Sequence, residues 1–189
     1  MKIVCFGDSN TYGFDPRSYF GSRLAEEVLW VNILGDRLGC TVINAGENGM
    51  EVPHRELEVT EFFRLLAQEQ PVDFVIVMLG NNDLLQRRSV STVVARMETF
   101  LKRIPLSPER ILLAAPPILQ PGAWVTDQEL IAASKELNSA YRRLSDDLSV
   151  MFADAGEWNL PLAFDGVHLT EEGHRILGEN LSRFFRTGG

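Results

Sequence analysis

The chain has 189 residues, 45% of them hydrophobic and 23% charged, a length and balance that suit one ordinary globular domain with a full core over 1–189. Its formal charge of −8 argues against a nucleic-acid binder, which needs a basic face for phosphates, and no apolar run reaches the roughly 20 residues that span a bilayer. Two cysteines, Cys5 and Cys40, lack metal-binding spacing, and the apolar run at the N-terminus is too short for a signal peptide, so the expected compartment is the cytoplasm.

The first predicted strand is Lys2–Phe6, followed by Gly7-Asp8-Ser9-Asn10-Thr11. Ser9 offers a hydroxyl on a tight turn; taken alone, it reads first as a helix or turn cap, and Asp8 as a turn-holding side chain. A helix is expected over Glu26–Leu38, stopped by Gly39. The second strand, Thr41–Asn44, leads into Ala45-Gly46-Glu47-Asn48-Gly49, whose glycines permit positive φ or a close backbone approach. Arg55–Gln68 is amphipathic, with His54 just before it. Val72–Leu79 is too continuously apolar for a half-exposed strand and suits one buried on both faces of a parallel sheet. After it comes Gly80-Asn81-Asn82-Asp83, then a helix over Val90–Ile104.

The fourth strand, Arg110–Ala115, precedes a proline-rich loop, Pro116 to Gly122. Thr126-Asp127-Gln128-Glu129 reads as a capping box opening a helix to about Leu148. The fifth strand, Ser149–Ala153, is followed by a loop holding Asp165-Gly166-Val167-His168; Thr170 then caps a last helix that places His174 on a solvated face. Strands alternating with helices predict an α/β fold, a three-layer α/β/α sandwich around a five-stranded parallel sheet. In such sheets ligands bind outside the carboxyl ends of the strands, which is where every one of these post-strand loops opens.

Those loops together hold the parts of an acyl-transfer site. Ser9 is the candidate nucleophile, His168 the base that takes its proton and returns it to the leaving alcohol, and Asp165 the carboxylate that orients the imidazole. Backbone N–H groups of Ser9 and Gly49 and the side-chain amide of Asn82 are the candidate donors to the oxyanion, with Gly46 competing with Gly49. The nucleophile-elbow, phosphate-loop and dinucleotide fingerprints are absent. One Asp-x-x-His with no other histidine nearby makes a poor metal set, so no metal is expected.

Four strings in order, Gly7-Asp8-Ser9, Asn44 to Gly49, Leu79 to Asp83 and Asp165 to His168, resemble the blocks of SGNH hydrolases of the GDSL esterase/lipase family. Ala115-Pro116-Pro117-Ile118 and the Trp30 region look more like its small arylesterase and acyltransferase members. The resemblance implies a flavodoxin-like sheet, no cofactor, and hydrolysis of small-molecule esters or thioesters. Asn10 departs from the leucine of the family name and Leu169 from a common proline; neither is expected to touch the chemistry. Three alternatives stay open: transfer of the acyl group to an alcohol or peroxide, thioester hydrolysis, and a non-catalytic flavodoxin-like binding domain. No nucleic-acid or membrane partner is expected, and the sequence is compatible with a homo-oligomer.

Overall fold

A computed structural model describes residues 1–18 and 22–187. Five strands, β1 (Lys2–Gly7), β2 (Thr41–Gly46), β3 (Phe74–Met78), β4 (Ile111–Ala115) and β5 (Met151–Asp154), form one sheet in the order β2-β1-β3-β4-β5. All four pairings are parallel. The order reverses at β1: the chain first steps outward to β2, then crosses back to β3. That reversal opens a crevice at the carboxyl ends of β1 and β3.

Alternation along the strands assigns the two faces. Val4, Phe6, Val75, Val77, Ile111, Leu113 and Ala115 face one core, which also takes Phe62 from α3 (Glu56–Gln68), Met97 and Phe100 from α5 (Val90–Leu101), and Leu137 and Tyr141 from α6 (Gln128–Leu148). Ile3, Cys5, Ile76, Met78, Leu112 and Ala114 face the other, against α2 (Trp30–Leu38) and α7 (Glu171–Thr187). β1, β3 and β4 are thus covered on both sides, which explains their unbroken apolar runs.

Two short helices escaped the sequence reading: α1 (Ser9–Tyr12) and α4 (Asn81–Leu85) follow β1 and β3 directly. At four and five residues they are too short to show a hydrophobic period. The helix expected over Glu26–Leu38 is broken. A 3₁₀ turn over Glu26–Val28 ends at Leu29, whose extended backbone turns its side chain into the core against Gly13, and α2 starts afresh at Trp30. Gly39 closes α2 in the left-handed conformation, as expected. The cap of α6 is Asp127, one residue later than the expected Thr126, because the Asp127 carboxylate accepts from the Leu130 N–H at 2.8 Å. Thr170 caps α7, its Oγ1 accepting from the Gly173 N–H at 3.1 Å.

Candidate active site

The sheet register brings the site loops together. Gly7 at the end of β1 lies opposite Gly46 of β2 and Met78 of β3. Ser9 opens α1 two residues later, after Asp8 caps it by accepting from the Asn10 N–H at 2.9 Å. The cap fixes the serine on the first turn, facing the crevice end of the sheet.

From the far end of the chain, His168 reaches the same place. Its Nε2 lies 3.0 Å from Ser9 Oγ, and its Nδ1 lies 2.6 Å from Asp165 Oδ2. The other carboxylate oxygen, Oδ1, accepts from the Val167 and His168 N–H groups at 2.9 and 3.0 Å, so Asp165 holds both the ring and the turn that carries it. All three side chains are buried. Burial pushes the Asp165 carboxyl up, but the imidazole and the two backbone donors outweigh it and hold its pKa below the usual value. A hydroxyl joined in this way to an imidazole and a buried carboxylate can lose its proton to the ring as it attacks a carbonyl.

Gly49 sits in the β2–α3 loop at φ 77°, and among the described residues nothing accepts its N–H. The Gly46 N–H, by contrast, is engaged. It donates to Asn44 Oδ1 at 3.0 Å, and a Cβ on Gly46 would lie 2.1 Å from the Tyr12 nitrogen, so this glycine serves the packing of β2 against α1. Asn82, on α4, donates one amide hydrogen to the Met50 carbonyl at 3.0 Å, which ties it to the Gly49 loop and leaves the second hydrogen to spare. Asp83 reinforces the tie: it is fully buried, accepts from the Val52 N–H at 2.9 Å and meets Arg96 at 2.8 Å.

Two residues depart from the sequence reading, His174 and Asn10, while His54 stands away from the serine and Trp124 lies in a loop read as lining the pocket. His174 is buried, not solvated, because α7 turns that face onto α2, where its Nδ1 accepts from the Trp30 N–H at 3.3 Å. Burial first, and the neighbouring His168 second, lower its pKa to about 4, so it is neutral at physiological pH. His54 meets the Val52 carbonyl and Glu58, not the serine. Asn10 does touch the site, through hydrogen bonds to Val167 and Leu169 on either side of His168. Trp124 stands edge-on to the His168 ring with centroids 5.1 Å apart, and Phe14 lies at 4.7 Å. Trp124 is 53% and Phe164 64% exposed, a rare state for large apolar side chains in this fold. The loop sequences suggest that Trp124 lines the pocket, but its edge-on contact with the His168 ring depends on a partner far away along the chain.

Among the described residues no group of three or more His, Cys, Asp and Glu converges as a metal site, and no helix is long and apolar enough to cross a membrane.

The sequence matches the profile of the GDSL-like lipase/acylhydrolase family over residues 5–176. No curated protein matches it. Among solved structures, the inhibitor-bound aryl esterase of M. smegmatis is similar with a TM-score of 0.86 and 27% identity over 98% of each chain. Est24, a carbohydrate acetylesterase from Sinorhizobium meliloti, is similar with a TM-score of 0.83 and 26% identity, again over 98% of each chain. A member of the lipolytic G-D-S-L family from Veillonella parvula shares the fold at 21% identity, with a TM-score of 0.75 over 98% of each chain.

Proposed function

The chain belongs to the GDSL-like lipase/acylhydrolase family and is an esterase, and from that premise we propose that it cleaves short-chain acyl esters through an acyl-enzyme on Ser9. The observation that carries this reading is the continuous hydrogen-bonded line Ser9–His168–Asp165, at 3.0 and 2.6 Å.

In the proposed mechanism Ser9 Oγ attacks the ester carbonyl carbon while His168 Nε2 takes the hydroxyl proton. Asp165 keeps the other ring proton on Nδ1 and stabilises the imidazolium that forms. Charge on the tetrahedral oxygen is met by the Ser9 and Gly49 N–H groups and the spare Asn82 amide hydrogen. The intermediate collapses as the imidazolium gives its proton to the leaving alcohol. Water then attacks the acyl-enzyme, again losing its proton to His168, and the acid leaves as Ser9 recovers its hydrogen.

The leaving oxygen must lie within reach of His168 Nε2, so the alcohol portion leaves past the rings beside it. Exposed Trp124, edge-on to the His168 ring, supports an alcohol that presents a ring face, as an aryl or sugar ester would. Aryl and carbohydrate esters are also what the two similar enzymes are named for.

Hydrolysis of p-nitrophenyl acetate tests the assignment. Ser9→Ala, with a circular dichroism spectrum like the parent's, is expected to lose the activity; a folded Ser9→Ala protein with the parent rate would refute the nucleophile.

A further inference from the structure

Asn10 follows the serine directly, and its side chain is 3% exposed. Both ends of its amide are engaged with the segment that carries His168. Nδ2 donates to the Val167 carbonyl at 3.0 Å, and Oδ1 accepts from the Leu169 N–H at 2.8 Å. One amide therefore grips the backbone on both sides of the histidine. Asn10 is itself held from behind: its N–H donates to Asp8 Oδ1 at 2.9 Å, and its carbonyl accepts from the Trp30 indole at 3.0 Å.

The chemistry of the grip is specific. It needs a donor and an acceptor on one short planar group, which asparagine supplies and leucine does not. It also needs an N–H at position 169, which leucine supplies and proline would not.

The serine turn and the histidine segment lie 159 residues apart along the chain, and the Ser9–His168 contact is a single 3.0 Å bond. Asp165 orients the ring within its own segment, so what is left to set is where that segment stands against the serine turn. We propose that Asn10 is a positioning residue that sets the Ser9–His168 separation and keeps the base against the nucleophile before substrate arrives. The proposal rests on the reading of Ser9 and His168 as nucleophile and base. Misplacing a reacting group by about 1 Å costs on the order of 10²-fold in rate, so loss of the grip is felt at the chemical step and not in substrate binding.

A fluorophosphonate probe that phosphonylates an activated serine separates positioning from mere support of the fold. Asn10→Leu and Asn10→Asp are treated with excess probe, and both the labelling rate and the final labelled fraction are measured, with Ser9→Ala as the blank. Asn10→Asp keeps the acceptor for Leu169 and loses the donor to Val167, so it decides the matter if Asn10→Leu does not fold. Positioning predicts that each folded variant labels to near completion, but about 10- to 100-fold more slowly, Asn10→Leu being the slower. kcat on p-nitrophenyl acetate falls in parallel and KM stays within about twofold. A reduced final fraction whose surviving sites label at the parent rate would overturn the proposal in favour of a purely structural role. So would variants that match the parent in both rate and fraction. A parent protein that does not label at Ser9 would instead remove the nucleophile assignment, and this inference with it.

Discussion

Asp165 divides its two oxygens between two tasks, and a single substitution separates them. Asp165→Asn can still accept from the Val167 and His168 N–H groups, but it offers an amide hydrogen or a weak acceptor to Nδ1 where the imidazolium needs a charge. The expected result is a fall in kcat of roughly 10⁴, measured with p-nitrophenyl acetate, at a melting temperature near the parent's; a variant within tenfold of the parent would contradict the proposed role. The two glycines of the second block make a different contrast. Gly46→Ala places a Cβ 2.1 Å from the Tyr12 nitrogen, so it is expected to lower stability; Gly49→Ala meets nothing within 4 Å and bears only the strain of its φ of 77°. The sequence reading prefers Gly49 for the oxyanion donor, but it could not show that Gly46 serves packing, because that depends on what stands across from it. The same limit hid Asn10. Residue types and their order after the strands announce a serine, a histidine and a carboxylate, but the partners of an asparagine side chain 157 and 159 residues away leave no mark on its neighbours.

At the scale of elements, two loops act as one. The segment before α6 runs beside the segment that holds the carboxylate: the N–H groups of Gln120, Ala123 and Trp124 donate to the carbonyls of Gly166, Phe164 and Asp165, each at 3.0 Å. Gly122 makes the approach feasible, since a Cβ there would lie 2.3 Å from the Asp165 carbonyl carbon and 2.4 Å from the Gly166 nitrogen. All of these are backbone atoms, so the carboxylate loop itself must move to admit a methyl group. Gly122→Ala is therefore expected to lose at least about tenfold in kcat, with a lower melting temperature; kcat at the parent value would show that the loops are not mechanically joined to the site. Hydrophobic period revealed α3 and α5, and cap residues revealed α6 and α7, to within a few residues. It could not reveal that Leu29 would turn inward and split the helix before it, because an amphipathic pattern says that a side chain is buried and not which element buries it.

For the whole molecule, alternating strands and helices were enough to read the three-layer sandwich. The strand order did not follow from connectivity; only the family resemblance implied a flavodoxin-like sheet, and the observed order reverses at β1. What composition could not convey is that two ionisable groups are shut in behind the site with opposite pH behaviour. Burial raises the Asp8 carboxyl from 3.8 to about 6, against the pull of the Asn10 N–H and His168. The folded state thus binds a proton there that the unfolded state has shed, and the associated stability, full below about pH 4, is lost as pH rises through 6. His174 works the other way: its pKa falls from 6.5 to about 4, so its contribution is present above 6.5 and lost as pH falls towards 4. Between pH 4 and 6.5 the two slopes oppose each other. Asp8→Asn keeps an acceptor for the Asn10 N–H without the charge. Relative to the parent, it is expected to gain up to about 3 kcal/mol on going from pH 4 to pH 7 in urea unfolding, and to expose the acid sensitivity that His174 imposes. A difference between the two proteins that does not change with pH would contradict this.

The central claim is that one serine, Ser9, carries the acyl group. Intact-mass measurement after reaction with an excess of diethyl p-nitrophenyl phosphate, followed by peptide mapping, reads this directly. The expected result is one diethylphosphoryl adduct per chain, on the peptide containing Ser9, and none on the folded Ser9→Ala protein. An adduct on another residue, or a fully active enzyme that remains unmodified, would contradict the account.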